Sequence, residues 1–168
     1  DDQALVGDVD FDDNMHNGIS MRGGAGDNKF LISNDTFLNI DGGSGTDSIN
    51  VNSGVDFSAI NYEQISQIEK VQLTQDSASI TLTAENIFNM LKSSDDGTLT
   101  IELGSTVSSA SLNIDASTDY SDDTTGVVNA LNEHVSGATH VETAGGYDHY
   151  QIGNFDLYID TDVTTAVV

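Results

Sequence analysis

Residues 42–50 read Gly42-Gly43-Ser44-Gly45-Thr46-Asp47-Ser48-Ile49-Asn50 and match in full the nonapeptide pattern G-G-x-G-x-D-x-U-x, where U is a large apolar residue. A second copy at residues 23–31 has Asn28 in place of the Asp. The glycines permit the positive φ that turns backbone carbonyls inward, the Asp adds a carboxylate, and the apolar residue fills a narrow core. The pattern therefore predicts tight turns joined to short strands of a parallel β-roll.

The spacing of the two copies predicts a calcium site. Each nonapeptide forms a turn and a short strand, so turns on the same side of a roll recur about every 18 residues. The two copies start one residue further apart than that, which predicts stacked neighbours with a small irregularity. We expect calcium between the two turns. Its candidate ligand positions are Gly23, Gly24, Gly26, Asp27 and Asn28 in the first turn, and Gly42, Gly43, Gly45 and Asp47 in the second.

The composition also favours an oxygen-ligated cation. The chain has 28 Asp+Glu, of which 22 are Asp, against four Lys+Arg, and its formal net charge is −24. So strong a charge opposes compaction unless cations lie among the carboxylates, and it argues against nucleic acid and anionic membranes as partners. Asp8, Asp10 and Asp12 alternate along the chain, and we weigh a ligand role for them evenly against a solvated acidic strand. An EF-hand starting at Asp8 is rejected, because Asp13 stands where that loop needs Gly.

The chain divides by texture into a turn-dense part, residues 1–54, and a part with longer alternating apolar runs, residues 55–168. Period-2 pairs such as Ile80 and Leu82 predict half-buried strands. Helical spacing predicts short helices at 84–91, with Thr83 as N-cap, and around 127–135. A hairpin is predicted at Gly153-Asn154. We expect a mainly β fold: a short calcium-binding β-roll continuing into a β-sandwich-like sheet with one or two short helices, sharing one core in a single compact, monomeric domain.

Four segments carry a family resemblance: the Gly-rich run 23–54, residues 65–73 (ISQIEKVQL), 80–87 (ITLTAENI) and 154–163 (NFDLYIDTDV). Together they resemble the calcium-binding C-terminal region of large bacterial repeats-in-toxin (RTX) adhesins exported by type I secretion. The nonapeptides are the specific part of this resemblance, and residues 116–142 depart from it. The resemblance implies export in an unfolded state, folding outside the cell on calcium binding, and a calcium-dependent adhesion module. The alternative is a non-catalytic secretion and folding module of a secreted hydrolase or toxin.

No catalytic motif stands out. The chain lacks a G-x-S-x-G elbow and Cys, and its four histidines have no paired metal-ligand spacing, so we expect a non-enzyme. No run of 18 apolar residues exists, and we expect no membrane insertion but a secreted or cell-surface location. The polar aromatics to test against a peptide or glycan on another cell surface are Tyr120, Tyr147, His149 and Tyr150. The simpler interpretation is that these side chains cover sheet edges.

Overall fold

The computed structural model describes residues 4–7, 19–34, 37–61 and 64–168. Within these ranges the chain forms fifteen strands and two helices. In chain order they are β1 (Ala4–Gly7), β2 (Ile19–Ala25), β3 (Lys29–Ile32), β4 (Phe37–Ser44), β5 (Ser48–Val51), β6 (Gly54–Asp56), β7 (Ile65–Ser66), β8 (Lys70–Leu73), β9 (Ser79–Thr83), α1 (Ala84–Ser93), β10 (Thr98–Leu103), β11 (Ser111–Asp115), α2 (Thr124–His134), β12 (Ala138–Ala144), β13 (Tyr147–Ile152), β14 (Phe155–Asp160) and β15 (Thr164–Val167).

The strands form three sheets. The largest has the order β1-β3-β5-β8-β10-β14-β13-β12, and two smaller sheets have the orders β15-β11-β9-β6 and β2-β4-β7. Pairing is parallel throughout, except that β12, β13 and β14 form an antiparallel meander. The expected mainly β fold with two short helices is confirmed.

From β1 to β12, successive strands lie in different sheets, so the chain coils and lays each new strand beside one from a preceding coil. The coils lengthen along the chain. Residues that are hydrogen-bonded across neighbouring strands or turns are 19 positions apart at Asn28 and Asp47, 22 at Asp47 and Glu69, and 30 at Gln72 and Glu102. The largest sheet continues across residue 54, and it joins strands from both halves of the chain.

The added residues of the later coils include the two helices. Thr83 caps α1, accepting a hydrogen bond from the Asn86 backbone N–H at 3.0 Å, while the Asn86 side chain accepts one from the Thr83 N–H. Asp123 caps α2 through the Gly126 N–H at 2.9 Å. Both predicted helices and the Thr83 cap are confirmed, as is the hairpin at residues 153–154.

Apolar side chains form ladders in the core because parallel register places equivalent positions side by side. One ladder of buried residues runs across the largest sheet through Phe30, Ile49, Val71, Ile101 and Ile159. Residues from all three sheets and both helices belong to one continuous core. Among the described residues, no helix has the length and apolarity needed to cross a membrane.

Candidate cation-binding site

The two glycine-rich turns stack directly on each other. Gly24 lies opposite Gly43 in the parallel β2–β4 pair, and the Gly26 N–H donates to the Ser44 carbonyl at 2.8 Å. Gly24, Gly26, Gly43 and Gly45 all have positive φ, from 89° to 131°. The predicted stacking of the two turns is therefore confirmed, and its backbone conformation is one that residues with a side chain rarely adopt.

Two further glycines allow the turns to approach closely. A Cβ atom on Gly42 would lie 1.9 Å from the Gln67 carbonyl oxygen and 2.7 Å from Asp47 Oδ2. A Cβ on Gly23 would lie 2.3 Å from the Gly42 carbonyl oxygen. Because no side chain fills these positions, backbone and carboxylate oxygens crowd into the space inside the stack.

Three buried polar residues connect successive turns. The Asn28 backbone N–H and side-chain amide donate to Asp47 Oδ1 at 2.7 and 2.9 Å. The Asp47 N–H in turn donates to Glu69 Oε2 at 2.7 Å. Asn28, Asp47 and Glu69 are only 1%, 0% and 7% exposed. We call these three residues the polar ladder.

The polar ladder leaves oxygen atoms without partners. Among the described residues, Asp47 Oδ2 and Asn28 Oδ1 are buried and accept no hydrogen bond. A buried carboxylate oxygen without a partner is costly, and more so when the group is charged. Within the described part of the chain, one Lys or Arg forms an ion pair: Lys70 with Glu102, at 3.2 Å. No basic side chain of the described residues therefore neutralises Asp47.

Burial raises the pKa of Glu69, and the nearby charges of Asp47 and Asp95 act in the same direction. The backbone N–H groups of Asp47 and Asp95 oppose this shift by donating to the Glu69 carboxylate. Glu69 therefore lies in a site that disfavours its charged form. A divalent cation there would remove the repulsion and favour both carboxylates.

The donor atoms suit a hard cation. Carboxylate, amide and carbonyl oxygens are the ligands that calcium takes in proteins, six to eight at a time. No group of three or more His, Asp or Glu side chains in the described ranges is placed to hold a metal ion. A calcium ion at the turns would therefore take most of its ligands from backbone carbonyls, and Asp47 Oδ2 is the buried carboxylate oxygen available to it.

Two exposed acidic side chains accept hydrogen bonds from the backbone of the second turn. Asp27 Oδ1 accepts a hydrogen bond from the Thr46 N–H at 2.8 Å, and Asp95 Oδ2 accepts one from the Gly45 N–H at 3.2 Å. The nine predicted positions in the two turns thus come together in one place. Asp8, Asp10 and Asp12 lie outside the described residues.

Sequence reasoning missed Gln67, Glu69 and Asp95. Gln67 follows Ser66, which pairs with Asp41, so it occupies the position of Gly42 in the next coil. It has φ 53°, one of two non-glycine residues with positive φ in the described ranges. Gly42 itself does not have positive φ, so the third turn differs from the second in backbone conformation and also lacks glycine. The nonapeptide pattern therefore could not identify it.

The four polar aromatics are divided among three places. Tyr147 and His149 lie on the outer face of β13. The His149 ring stacks on Tyr158 with centroids 4.5 Å apart, and its Nε2 lies 2.7 Å from Asp156 Oδ1. The Tyr147 hydroxyl donates to Glu102 Oε2 at 3.1 Å, and burial, followed by this carboxylate, raises the pKa of Tyr147.

Tyr150 lies on the opposite, buried face of β13 and is 2% exposed. Tyr120 precedes α2 and packs, half-buried, against the core. The four residues therefore do not form one surface. Tyr147 and His149 remain together, whereas Tyr150 belongs to a separate cleft.

No protein-family model matches this chain, and searches of curated proteins and of solved structures find no match either.

Proposed function

We propose that this chain is a calcium-dependent extracellular binding module, of the kind found in RTX adhesins, that folds when calcium enters a short β-roll formed by the stacked turns. The single observation that supports the proposal best is the buried, unpartnered Asp47 Oδ2 beside Glu69, with no basic side chain to neutralise it. A calcium ion at this position would supply the missing charge.

The chemistry explains why such a module would fold outside the cell. Without calcium, the −24 net charge and the buried carboxylates oppose compaction. Extracellular modules bind calcium with dissociation constants of about 10⁻⁴ to 10⁻³ M, which extracellular but not cytosolic calcium reaches. Binding to the folded state alone adds its free energy to folding. Export of an unfolded chain would then be followed by folding on the outside.

The adhesive part of the proposal concerns the outer face of the large sheet. Tyr147, His149 and Tyr158 form a polar aromatic surface bordered by Glu102 and Asp156. Stacked rings with adjacent carboxylates can contact a sugar ring or a peptide side chain. We therefore assign the contact with a peptide or glycan to this face.

The decisive experiment is thermal melting and far-UV circular dichroism in EDTA, in calcium and in magnesium. We expect a calcium-specific gain of β-structure or a large rise in melting temperature, since magnesium demands a stricter octahedral geometry. Identical melting in all three conditions would refute the proposal.

A matched pair of variants assigns the effect to the turns. Asp47→Asn keeps an oxygen for the Asn28 bonds but removes the buried charge, so we expect calcium affinity to fall about tenfold or more while stability in EDTA does not fall. The control is Asp56→Asn, an exposed carboxylate on β6. Equal calcium responses for the two variants would place the ion elsewhere.

A further inference from the structure

A second site lies far along the chain from the glycine-rich turns, in a cleft of about 320 Å³ between the N-terminus of α2, β13 and the loop after β14. Its lining combines four carboxylates, one phenol and a small apolar wall. The residues that matter are Asp122, Asp123, Asp148, Asp160, Tyr150 and Val163. The cleft shares no residue with the stacked turns, so its function is independent of the calcium proposal.

Tyr150 is the unusual residue in this cleft. Only 2% of the residue is exposed, yet it lines the cleft, and no hydrogen bond joins its hydroxyl to another described residue. Burial, followed by the charges of Asp148 and Asp123, raises the pKa of Tyr150, so the phenol stays protonated. The hydroxyl is not among the fully enclosed polar atoms of the described residues, so a ligand in the cleft can reach it.

Both oxygens of Asp160 accept backbone hydrogen bonds, from the Asp162 and Leu103 N–H groups, whereas Asp122 and Asp148 are held through Oδ1. Asp122 Oδ1 accepts from the Val167 N–H at 2.8 Å, and Asp123 Oδ1 accepts from the Gly126 N–H at 2.9 Å. Asp148 Oδ1 accepts from the Thr143 hydroxyl and lies 3.4 Å from His140 Nε2. In the part of the chain that the structure describes, no Lys or Arg forms an ion pair with these acids.

The arrangement is a poor one for a bare metal ion. No three acidic or histidine side chains of the described residues are placed to share a metal. The cleft volume also greatly exceeds the approximately 30 Å³ that a single water occupies. A cleft of this size lined by carboxylates together with Val127 and Val163 suits a cation carried on an aliphatic chain.

We propose that this cleft binds an alkyl guanidinium or ammonium group, as carried by the Arg or Lys side chains of a protein partner. The cationic end contacts the carboxylates of Asp148 and Asp123. The Tyr150 oxygen accepts a hydrogen bond from the cationic N–H, and the aliphatic stem packs on Val127 and Val163. The chain's strongly acidic composition would steer such a partner toward the cleft.

The test uses the intact chain in calcium with two small probes, N-acetyl-arginine methylamide and its uncharged citrulline counterpart. We expect saturable binding of the arginine probe with a dissociation constant on the order of 1 mM. Methyl resonances of Val127 and Val163 should shift in carbon–proton correlation spectra. The citrulline probe should not bind, because it lacks the charge.

Variants locate the interaction. Asp148→Asn should weaken binding about fivefold, and Tyr150→Phe about threefold, since each removes one partner of the cation. Asp119→Asn removes an exposed charge outside the cleft and should leave binding unchanged. Melting curves for each variant verify that the fold is intact. If Tyr150→Phe fails to fold, the binding of the arginine probe to Asp148→Asn is the test of the site.

Two results would overturn the inference. Equal binding of the citrulline probe would exclude a cation site, and displacement of the arginine probe by added calcium, weakened by Asp148→Asn, would identify a metal site instead. Spermidine tests whether the natural ligand is a free polyamine instead of a protein side chain. Tighter binding of spermidine than of the arginine probe would argue against a protein partner. A melting temperature that does not depend on calcium would refute the calcium proposal but would leave these outcomes unchanged, because the cleft of the folded chain shares no residue with the stacked turns.

Discussion

The early coils, β2 to β8, and the late coils, β9 to β15 with the two helices, pack in different ways. In the early coils, the Gln67 carbonyl after β7 lies so close to β4 that Gly42 tolerates no side chain, and the polar ladder connects successive turns. In the late coils, α1 and α2 pack their apolar faces on the sheets, and side-chain caps satisfy the helix ends. Among the described residues, the buried side-chain oxygens without a hydrogen-bond partner all lie in the early coils, at Asn28, Asn39, Asp41, Asp47 and Asn50. Close backbone stacking thus leaves oxygen atoms that a cation could bind.

The largest expected effect tests the late coils. Ile101 is fully buried between Val71 and Ile159, so Ile101→Ala should lower the free energy of unfolding by about 3 kcal/mol. The loss should be the same at low and at high calcium, because distant sites act additively. Chemical denaturation at both calcium levels measures it.

Thr100→Ala is the control, since the Thr100 side chain points away from the core; its cost should stay below about 0.5 kcal/mol. A calcium-dependent penalty for Ile101→Ala would mean that the late coils also rely on the ion, and the comparison would fail.

The next effect tests the early coils. Gly42→Ala places a Cβ against the Gln67 carbonyl oxygen, so we expect a loss of about 2 kcal/mol together with a weakened calcium response. Gly24→Ala meets nothing within 4 Å but requires φ 89°, and should cost about 1 kcal/mol with the calcium response largely kept. Calcium titrations followed by circular dichroism separate the two. If both variants bind calcium equally well, close stacking is not what forms the site.

A smaller effect concerns the α1 cap. Thr83→Ala removes the acceptor for the Asn86 N–H and should lower stability by about 1 kcal/mol without changing the calcium midpoint. Thr83→Ser keeps the hydroxyl and serves as the control. A shifted calcium midpoint in Thr83→Ala would show that the helix and the turns are coupled.

The smallest effect depends on pH. The backbone N–H of Gly126, and then the Ser121 hydroxyl, hold the pKa of Asp123 below its ordinary value of 3.8. The folded state therefore binds the proton less readily than the unfolded chain does, and Asp123 contributes stability above pH 3.8 that is lost as the pH falls through the lowered pKa.

Asp123→Asn retains a helix cap but cannot titrate, so its melting temperature should fall less steeply in acid than that of the original chain. Asp119→Asn, at an exposed position in the same loop, provides the reference. Parallel acid profiles for the original chain and Asp123→Asn would contradict the assignment.

Local patterns predicted much of the fold. The two nonapeptides predicted the stacked turns, the period-2 runs predicted β8, β9, β10 and β11, and the Thr83 cap signal predicted α1. These features depend on residues close in sequence, whose conformational preferences act before any distant contact forms.

Turn positions, apolar alternation and the excess of acidic residues can be identified from short stretches of sequence, because those are local properties. The burial of Glu69 beside Asp47 cannot, because the two residues lie 22 positions apart and the turn of Glu69 contains no glycine that would identify it. Tertiary structure decided that burial, and it also decided that Tyr147 faces outward while Tyr150 lies in a cleft with Asp123. Such pairings depend on how coils of unequal length stack, which no short stretch of sequence encodes.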